Sequence, residues 1–320
     1  MTKAFAAPGF AFMTTNPSDF DRKVQSNQRR LRDALRSVYD FVVCGSGSSG
    51  SVVARRLAEN PSVQVLLVEA GGADEGPAVV DPTAWPTNIG NERDWRYTGE
   101  PDPNLGGRRL QMAMGKVLAG GSSINAMVWS RGHARDWDHF AAESGDKSWG
   151  YEPVLDIYRR IEDWHGDPDP AFRGVGGEVF VQPTPDPHPV ALAMLQGAKA
   201  IGSPHYENAN RRMMESDRGV AIGDLRIRDG RRLSVFRSYT YPYMDRPNLT
   251  VLPEALVTRV IVDDHRARAV EIVHRGRTRT ISAAAEVVLS LGAIKTPKLL
   301  MLSGIGDGDE LGDAGVEVRH

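Results

Sequence analysis

The sequence lacks the features that would place this protein in several broad classes. It contains one cysteine, Cys44, which excludes an internal disulfide framework and favours a reducing compartment, here the cytoplasm. No apolar run approaches the roughly 20 residues that a transmembrane helix needs. Its 39 Lys and Arg residues against 41 Asp and Glu residues give a formal net charge of −2, so no nucleic acid partner is expected. A globular chain of 320 residues remains, long enough for two domains.

Glycine, by contrast, occurs where turns are predicted, first in the sequence GSGSSG at residues 45–50. The apolar residues 41–44 before it predict a buried strand. Residues 51–59 after it predict a helix that ends before a proline, and residues 63–68 predict a second strand. The order strand, glycine-rich turn, helix and strand favours a nucleotide-binding loop over a flexible Gly/Ser spacer.

The glycine spacing in this loop assigns a physical role to each position. Gly45, Gly47 and Gly50 fit G-x-G-x-x-G, in which they permit a tight turn, a close approach of pyrophosphate and helix–strand packing. The start of the helix presents free N–H groups to an anion. Glu69, about twenty residues further on, would accept hydrogen bonds from a ribose diol and repel a 2′-phosphate. The loop alone leaves nicotinamide and flavin nucleotides as open alternatives.

Two later segments also place glycines at turns. In GKVLAGGSSINAMVWSRG, residues 115–132, a small polar turn would either touch a flat ligand or only bend the chain between strands. In EVVLSLGAIKTPKLLMLSGIG, residues 286–306, a strand and a glycine turn precede a predicted helix. Thr296 is the predicted N-cap of that helix, Pro297 its first residue and Gly304 its C′ residue.

The three segments together resemble the glucose-methanol-choline (GMC) oxidoreductases, FAD-dependent enzymes that act on alcohols. Residues 115–133 are similar to the first signature of the family and residues 292–306 to the second. The similarity extends from about Tyr39 to about Val318 and corresponds to the N-terminal portion of choline dehydrogenase-like members.

The resemblance implies an α/β fold. It consists of a Rossmann-like FAD-binding domain with an inserted, incomplete α+β substrate domain on an antiparallel sheet. The expected boundaries are an N-terminal tail and helix at 1–37, the first part of the FAD-binding domain at 38–145, a partial substrate domain at 146–244 and the second, truncated part of the FAD-binding domain at 245–320.

The resemblance also implies a set of cofactor-binding residues. They are Gly45, Gly47, Ser48, Ser49 and Gly50 for the pyrophosphate, Glu69 for the adenosine ribose, Val117, Gly121, Asn125, Ala126, Met127 and Val128 along the flavin, Val257 for the adenine, and Ala293 near the cofactor. Ile124 occupies the position of a His that carries a covalent flavin bond in some members, so FAD is expected to bind non-covalently. Ala119 departs from the family pattern, in which glycines follow directly, but the spacing to Asn125 is kept.

The resemblance places the catalytic base, a histidine paired with a second His or Asn, beyond His320. No catalytic residue is therefore expected in this chain, and His133 and His139 are expected to lie at the surface. The spacing of the candidate ligands supports no metal site. The final residues GVEVRH, 315–320, have the pattern of a strand without partners, which indicates a truncated or split reading frame and a complementary C-terminal segment as a partner.

The implied function is the FAD-binding portion of an oxidoreductase for CH–OH groups of a small-molecule alcohol, with hydride passing to flavin N5. This portion is expected to be inactive without the segment that supplies the catalytic histidine. The alternatives are a non-catalytic flavin-binding remnant and a member of the hydroxynitrile lyase type. The two later signatures disfavour an NAD-dependent dehydrogenase.

Overall fold

The protein is represented by a computed structural model that describes residues 18–319. The α-helices in this range are α1 (Asp19–Asp33), α2 (Ser48–Ala58), α3 (Pro77–Val80), α4 (Ala134–Ser144), α5 (Tyr151–Ile161), α6 (Pro189–Ala200), α7 (Val235–Tyr239), α8 (Gly292–Leu302) and α9 (Gly308–Asp313). The strands are β1 (Val38–Cys44), β2 (Val65–Val68), β3 (Tyr97–Thr98), β4 (Gln111–Met112), β5 (Val128–Trp129), β6 (Glu162–Trp164), β7 (Val179–Pro183), β8 (Asp224–Leu225), β9 (Ile227–Arg228), β10 (Arg231–Arg232), β11 (Leu249–Leu252), β12 (Ala255–Asp263), β13 (Arg266–His274) and β14 (Arg277–Leu289).

A six-stranded sheet with the order β11-β2-β1-β14-β13-β12 forms the centre of the fold. The strands β11, β2, β1 and β14 run parallel, and β14, β13 and β12 continue the sheet as antiparallel neighbours. All four residues of β2 are buried, as expected for a parallel strand that is covered on both faces. Val24 of α1 and Ala54 of α2 pack on one face, whereas Leu299 of α8 packs on the other.

A second sheet has the order β5-β8-β7-β6 and is antiparallel except where β6 pairs with β7. Its interior contains charged side chains that neutralise one another. Oε2 of Glu162 lies 2.5 Å from Nη2 of Arg131, and Arg173 joins Oε1 of Glu162 at 3.0 Å to Oδ2 of Asp224 at 2.8 Å. The α/β fold thus combines a mainly parallel sheet with a separate, mainly antiparallel one. The domain boundaries themselves stay a prediction.

The structure corrects several expected element boundaries. Helix α2 starts at Ser48 rather than at residue 51, because Gly47 serves as its N-cap. Helix α8 begins at Gly292, so the prediction of Thr296 as N-cap and Pro297 as first residue is wrong. Gly292 has a φ of 84°, a left-handed conformation that turns the chain directly into the helix.

At the other end of α8, Gly304 has a φ of 81° after the C-cap Ser303, which agrees with its predicted position. The strand expected near the end of the chain is wrong. Residues 316–319 are not paired as a strand, and the N–H of Arg319 donates to the carbonyl of Gly304 at 2.8 Å. In the range 18–319 no helix has both the length and the apolar character to cross a membrane. The predicted N-terminal tail at 1–17 and His320 lie outside the described residues.

Candidate functional site

Three glycine-containing bends meet at the carboxyl ends of the parallel strands. A Cβ atom placed on Gly45 would lie 2.5 Å from the carbonyl oxygen of Ser290, which follows β14. A Cβ on Gly120 would lie 3.0 Å from the Cα of Gly47. The first bend, residues 45–50, therefore touches both the second bend, Gly120–Ser123, and the third bend, residues 290–293. In parallel α/β sheets this edge is where ligands bind.

A cavity of about 380 Å³ opens between these bends. Eight of the predicted residues line it, namely Gly45, Gly47, Ser48, Ser49, Glu69, Gly121, Val257 and Ala293. Sequence reasoning missed other lining residues, among them Trp95, Tyr97, Met114, Lys295 and Lys298. Only the tertiary structure brings the Trp95 ring to the wall of the cavity.

Two helices begin at the cavity without a capping side chain. Neither α2 nor α8 has a side-chain hydrogen bond at its N-terminus, although Ser, Thr, Asp or Asn usually provides one. Ser48, Ser49 and Ala293, in the first turns of these helices, line the cavity. The first N–H groups of a helix have no partner within the helix and carry a partial positive charge. Both helix ends therefore favour an anionic ligand.

Glu69 is the one acid among the described residues that line the cavity, and the chain already holds it in place. Its Oε2 accepts hydrogen bonds from the N–H of Ser46 at 3.0 Å and from the Ser46 hydroxyl at 2.8 Å. Its Oε1 accepts one from the N–H of Gly71 at 2.9 Å. Burial raises the pKa of Glu69, and these hydrogen bonds oppose the shift. The carboxylate is thus oriented at the wall of the cavity by its own neighbours.

Ser46 also connects the first bend to the second. Its hydroxyl accepts a hydrogen bond from the N–H of Ala119 at 3.2 Å. Ala119, where the chain departs from the family pattern, is fully buried and has a φ of 73°, a conformation that costs a residue with a Cβ roughly 1–2 kcal/mol. The hydrogen bond to Ser46 helps to offset that cost.

Six predicted residues do not line the cavity. Gly50 lies beneath it, where a Cβ would be 1.9 Å from the carbonyl oxygen of Gly45, so its role is close packing of α2 on β1. Val117 is buried and forms a bridge with Gly72. The remaining four, Asn125, Ala126, Met127 and Val128, follow the second bend and lead into the second sheet, with Asn125 and Val128 exposed.

The described histidines lie away from the cavity. His133 caps α4 and His139 is largely exposed on the same helix. His165 pairs with Asp163, with 2.8 Å between Nε2 and Oδ2, and His188 caps α6. Between residues 18 and 319, His, Cys, Asp and Glu side chains form no group of three or more that could hold a metal ion.

Known proteins resemble this chain over most of its length. A protein-family model described as GMC oxidoreductase matches residues 39–314. The oxygen-dependent choline dehydrogenase of Sinorhizobium medicae is 39% identical over 282 residues, which are 88% of this chain and 50% of that protein. An uncharacterized GMC-type oxidoreductase of Mycobacterium bovis is 41% identical over 288 residues, covering 88% of this chain and 53% of that protein.

Solved structures agree with this relationship. Pyridoxine 4-oxidase from Mesorbium loti superimposes with a TM-score of 0.83 at 35% identity, over 88% of this chain and 54% of the other. A formate oxidase variant from Aspergillus oryzae, whose structure concerns FAD modification, gives a TM-score of 0.79 at 32% identity, over 88% and 50%. The chain spans about half the length of the curated relatives it matches. With its family pattern matched from residue 39 to residue 314, the chain belongs to the GMC oxidoreductase family.

Proposed function

We propose that the chain is the FAD-binding portion of a GMC-type oxidoreductase that acts on the CH–OH group of a small-molecule alcohol. The observation that carries the proposal is the meeting of three glycine-containing bends around one cavity. The relatives support the substrate class, since choline and pyridoxine both carry hydroxyl groups on carbon. A reducing compartment such as the cytoplasm fits the buried free thiol of Cys44.

The lining residues fit the adenosine diphosphate part of FAD. Gly47 and Gly121 leave room for close approach, since a Cβ on Gly121 would meet no atom within 4 Å and one on Gly47 would meet only the Ser290 carbonyl oxygen, at 4.0 Å. The N–H groups of Ser48 and Ser49 would bind the pyrophosphate at the start of α2. Glu69 would orient the ribose. In this proposal Gly50 keeps α2 close to the bend, and Val257 and Ala293 contact the nucleotide.

The flavin part would lie along residues 125–128, which follow the second bend. Val117, which precedes that bend, would support it. Oδ1 of Asn125 already accepts hydrogen bonds from Arg232 Nη1 at 2.8 Å and from the N–H of Met127 at 3.0 Å. The amide NH₂ of Asn125 is therefore the group left to donate to a ligand. Ile124 is apolar and buried, so it offers no nucleophile for a covalent flavin bond. When bound, the flavin supplies the acceptor for hydride from the alcohol carbon.

We also propose that a complementary segment, corresponding to the second half of the longer relatives, supplies the catalytic base. Helix α6 has no buried residue, although its apolar side chains Val190, Leu192 and Met194 are 58%, 43% and 70% exposed. Val128, next to the proposed flavin position, is 54% exposed. These exposed apolar side chains are available for contact with another polypeptide segment. Without such a segment we expect cofactor binding to be weak and turnover to be absent.

Two measurements test the proposal. Purified protein is titrated with FAD, followed by flavin fluorescence, and with ADP by calorimetry. Turnover of an alcohol is then measured with a dye acceptor, with and without the polypeptide encoded downstream. We expect ADP to compete with FAD, and dye reduction only when both polypeptides are present. No dye reduction by the combined, flavin-loaded protein would favour a non-catalytic flavin-binding protein or a lyase.

A pair of variants locates the binding site. Gly121→Val adds a branched side chain at the cavity, where its Cβ meets no atom within 4 Å, so we expect FAD to bind at least about tenfold more weakly while the fold is kept. Gly197→Val changes an exposed glycine of α6 in the same way and serves as the control. FAD binding by Gly121→Val that matches the control would contradict the proposed site.

A further inference from the structure

One wall of the cavity carries an unusual concentration of lysine. The chain has only seven lysines against 32 arginines. Three of the seven are grouped here: Lys116 and Lys295 lie over Trp95, and Lys298 lies close enough to Lys295 to affect its charge. Nζ of Lys295 is 4.0 Å and Nζ of Lys116 is 5.1 Å from the ring centroid of Trp95. Trp95, Lys295 and Lys298 line the cavity. We refer to Trp95 and the three lysines as the lysine wall.

Among residues 18–319, no carboxylate forms an ion pair with the three lysines of the wall. The pKa of Lys295 is lowered, first by burial and then by the positive charges of Lys298 and Lys116, and no carboxylate opposes the shift. Elsewhere in the described chain, Lys23 pairs with Asp245 at 2.7 Å. Glu69, the acid that lines the cavity, already accepts hydrogen bonds from Ser46 and Gly71. The wall therefore adds uncompensated positive charge to a cavity that two helix N-termini already make favourable for anions.

Like charges held together cost free energy unless a ligand of opposite charge compensates them. The number of charges and the type of side chain indicate what that ligand carries. Lysine binds phosphate as a compact point charge on a flexible stem, whereas arginine suits rigid bidentate pairing. A chain that otherwise uses arginine, yet places three lysines here, favours a group with several negative oxygens in variable orientation. A diphosphate has this chemistry.

We propose that Lys295 and Lys298, with Lys116 held against Trp95, bind the diphosphate of the nucleotide by ion pairing in the cavity that the glycine-rich bend also lines. The inference rests on the proposed function, because it takes an adenosine diphosphate group as the occupant. It adds a second set of phosphate-binding residues, on α8 and beside Trp95, to those of the first bend.

Calorimetry with ADP, AMP and adenosine at 50, 100 and 200 mM salt tests the inference without any need for turnover. We expect Lys295→Gln to weaken ADP binding about fivefold and to reduce its salt dependence, because one partly exposed ion pair is lost. The effect should be smaller for AMP and absent for adenosine. Lys295→Arg, which keeps the charge, should restore most of the affinity, and Lys298→Gln should act in the same direction. Lys199→Gln, on the exposed surface of α6, is the matched control.

The outcomes separate this inference from the proposed function. Wild-type protein that binds neither ADP nor FAD, alone or together with the polypeptide encoded downstream, would overturn both. If Lys295→Gln binds ADP with the same affinity and the same salt dependence as wild type, the inference is overturned but the proposed function is not. Equal weakening of ADP and adenosine by Lys295→Gln would also overturn it, because that result means packing against Trp95 rather than ion pairing.

Discussion

The three glycines of the first bend should respond differently to the addition of a single methyl group. In Gly50→Ala the new Cβ would lie 1.9 Å from the carbonyl oxygen of Gly45 and 3.1 Å from the Cβ of Ser290, where ordinary contacts begin at 3.4 Å. The end of β1 and the start of α2 would have to separate by roughly 1.5 Å. In Gly47→Ala the nearest atom is the carbonyl oxygen of Ser290 at 4.0 Å, and the φ of −59° suits alanine.

These distances translate into separate effects on stability and binding. Overpacking against backbone costs up to about 3 kcal/mol, and alanine in a helix recovers up to about 1 kcal/mol, so Gly50→Ala should lose about 2 kcal/mol. Gly45→Ala should lose at least as much, because a φ of 94° adds strain to a contact of 2.5 Å. Gly47→Ala should change the free energy of unfolding by less than about 0.5 kcal/mol but weaken ADP binding, because its methyl group occupies the cavity.

Urea unfolding and ADP calorimetry on the same preparations check this prediction. With an m-value of about 3 kcal/mol/M, the loss in Gly50→Ala corresponds to a midpoint lower by about 0.7 M. Gly197→Ala, on the exposed surface of α6, is the control for a glycine that meets no neighbour. A wild-type midpoint for Gly50→Ala, or an equal loss of stability in Gly47→Ala and Gly50→Ala, would refute the assignment of packing and binding roles.

Two further predictions concern buried ionisable groups. Burial raises the pKa of the Cys44 thiol to about 12, so the neutral thiol stabilises the fold fully below the unfolded value of about 9 and this contribution is lost as pH rises towards 12. Wild type should therefore lose stability relative to Cys44→Ala by up to about 1.4 kcal/mol per pH unit above pH 9 in urea unfolding, and parallel curves would contradict this. Glu162→Gln leaves Arg131 and Arg173 without their shared carboxylate and should cost about 3–5 kcal/mol. Glu178→Gln removes one partner of Arg55, which also pairs with Glu59, and should cost about 1 kcal/mol or less; similar losses in the two variants would argue against the buried network.

Sequence patterns predicted the elements that depend on neighbouring residues. The first strand, the glycine bend and α2 follow from an apolar run and from the glycine spacing, in which Gly45 has a φ of 94° that other residues avoid. Gly304, with a φ of 81°, ends α8 for the same reason. The start of α8 was mispredicted, because the preferences of Thr296 and Pro297 describe an isolated helix. In the folded chain, the turn at Gly292 after a buried strand decides where the helix begins.

The composition of the cavity wall could not be predicted in the same way. Trp95 and Lys295 are 200 positions apart and meet only because β14 and the segment after β2 end at the same edge of the sheet. β5 likewise pairs with β8, which lies almost 100 positions further along the chain. The hydrophobic periodicity within either strand does not identify its partner. The scarcity of lysine is the one signal in the sequence that could have drawn attention to the wall before the structure did.

The second bend shows how the two sheets depend on each other. Arg232 of β10 donates from Nη1 to the carbonyl of Ser122 at 3.2 Å and to Asn125 Oδ1 at 2.8 Å, and the N–H of Val235 donates to the Ser122 hydroxyl at 3.1 Å. From the other side, the Ser46 hydroxyl accepts from the N–H of Ala119. The bend therefore takes its shape from residues before and after the inserted second sheet. Arg232 is buried and its partners lie more than 100 positions earlier, so a residue that follows the second sheet in the chain fixes the bend at the wall of the cavity.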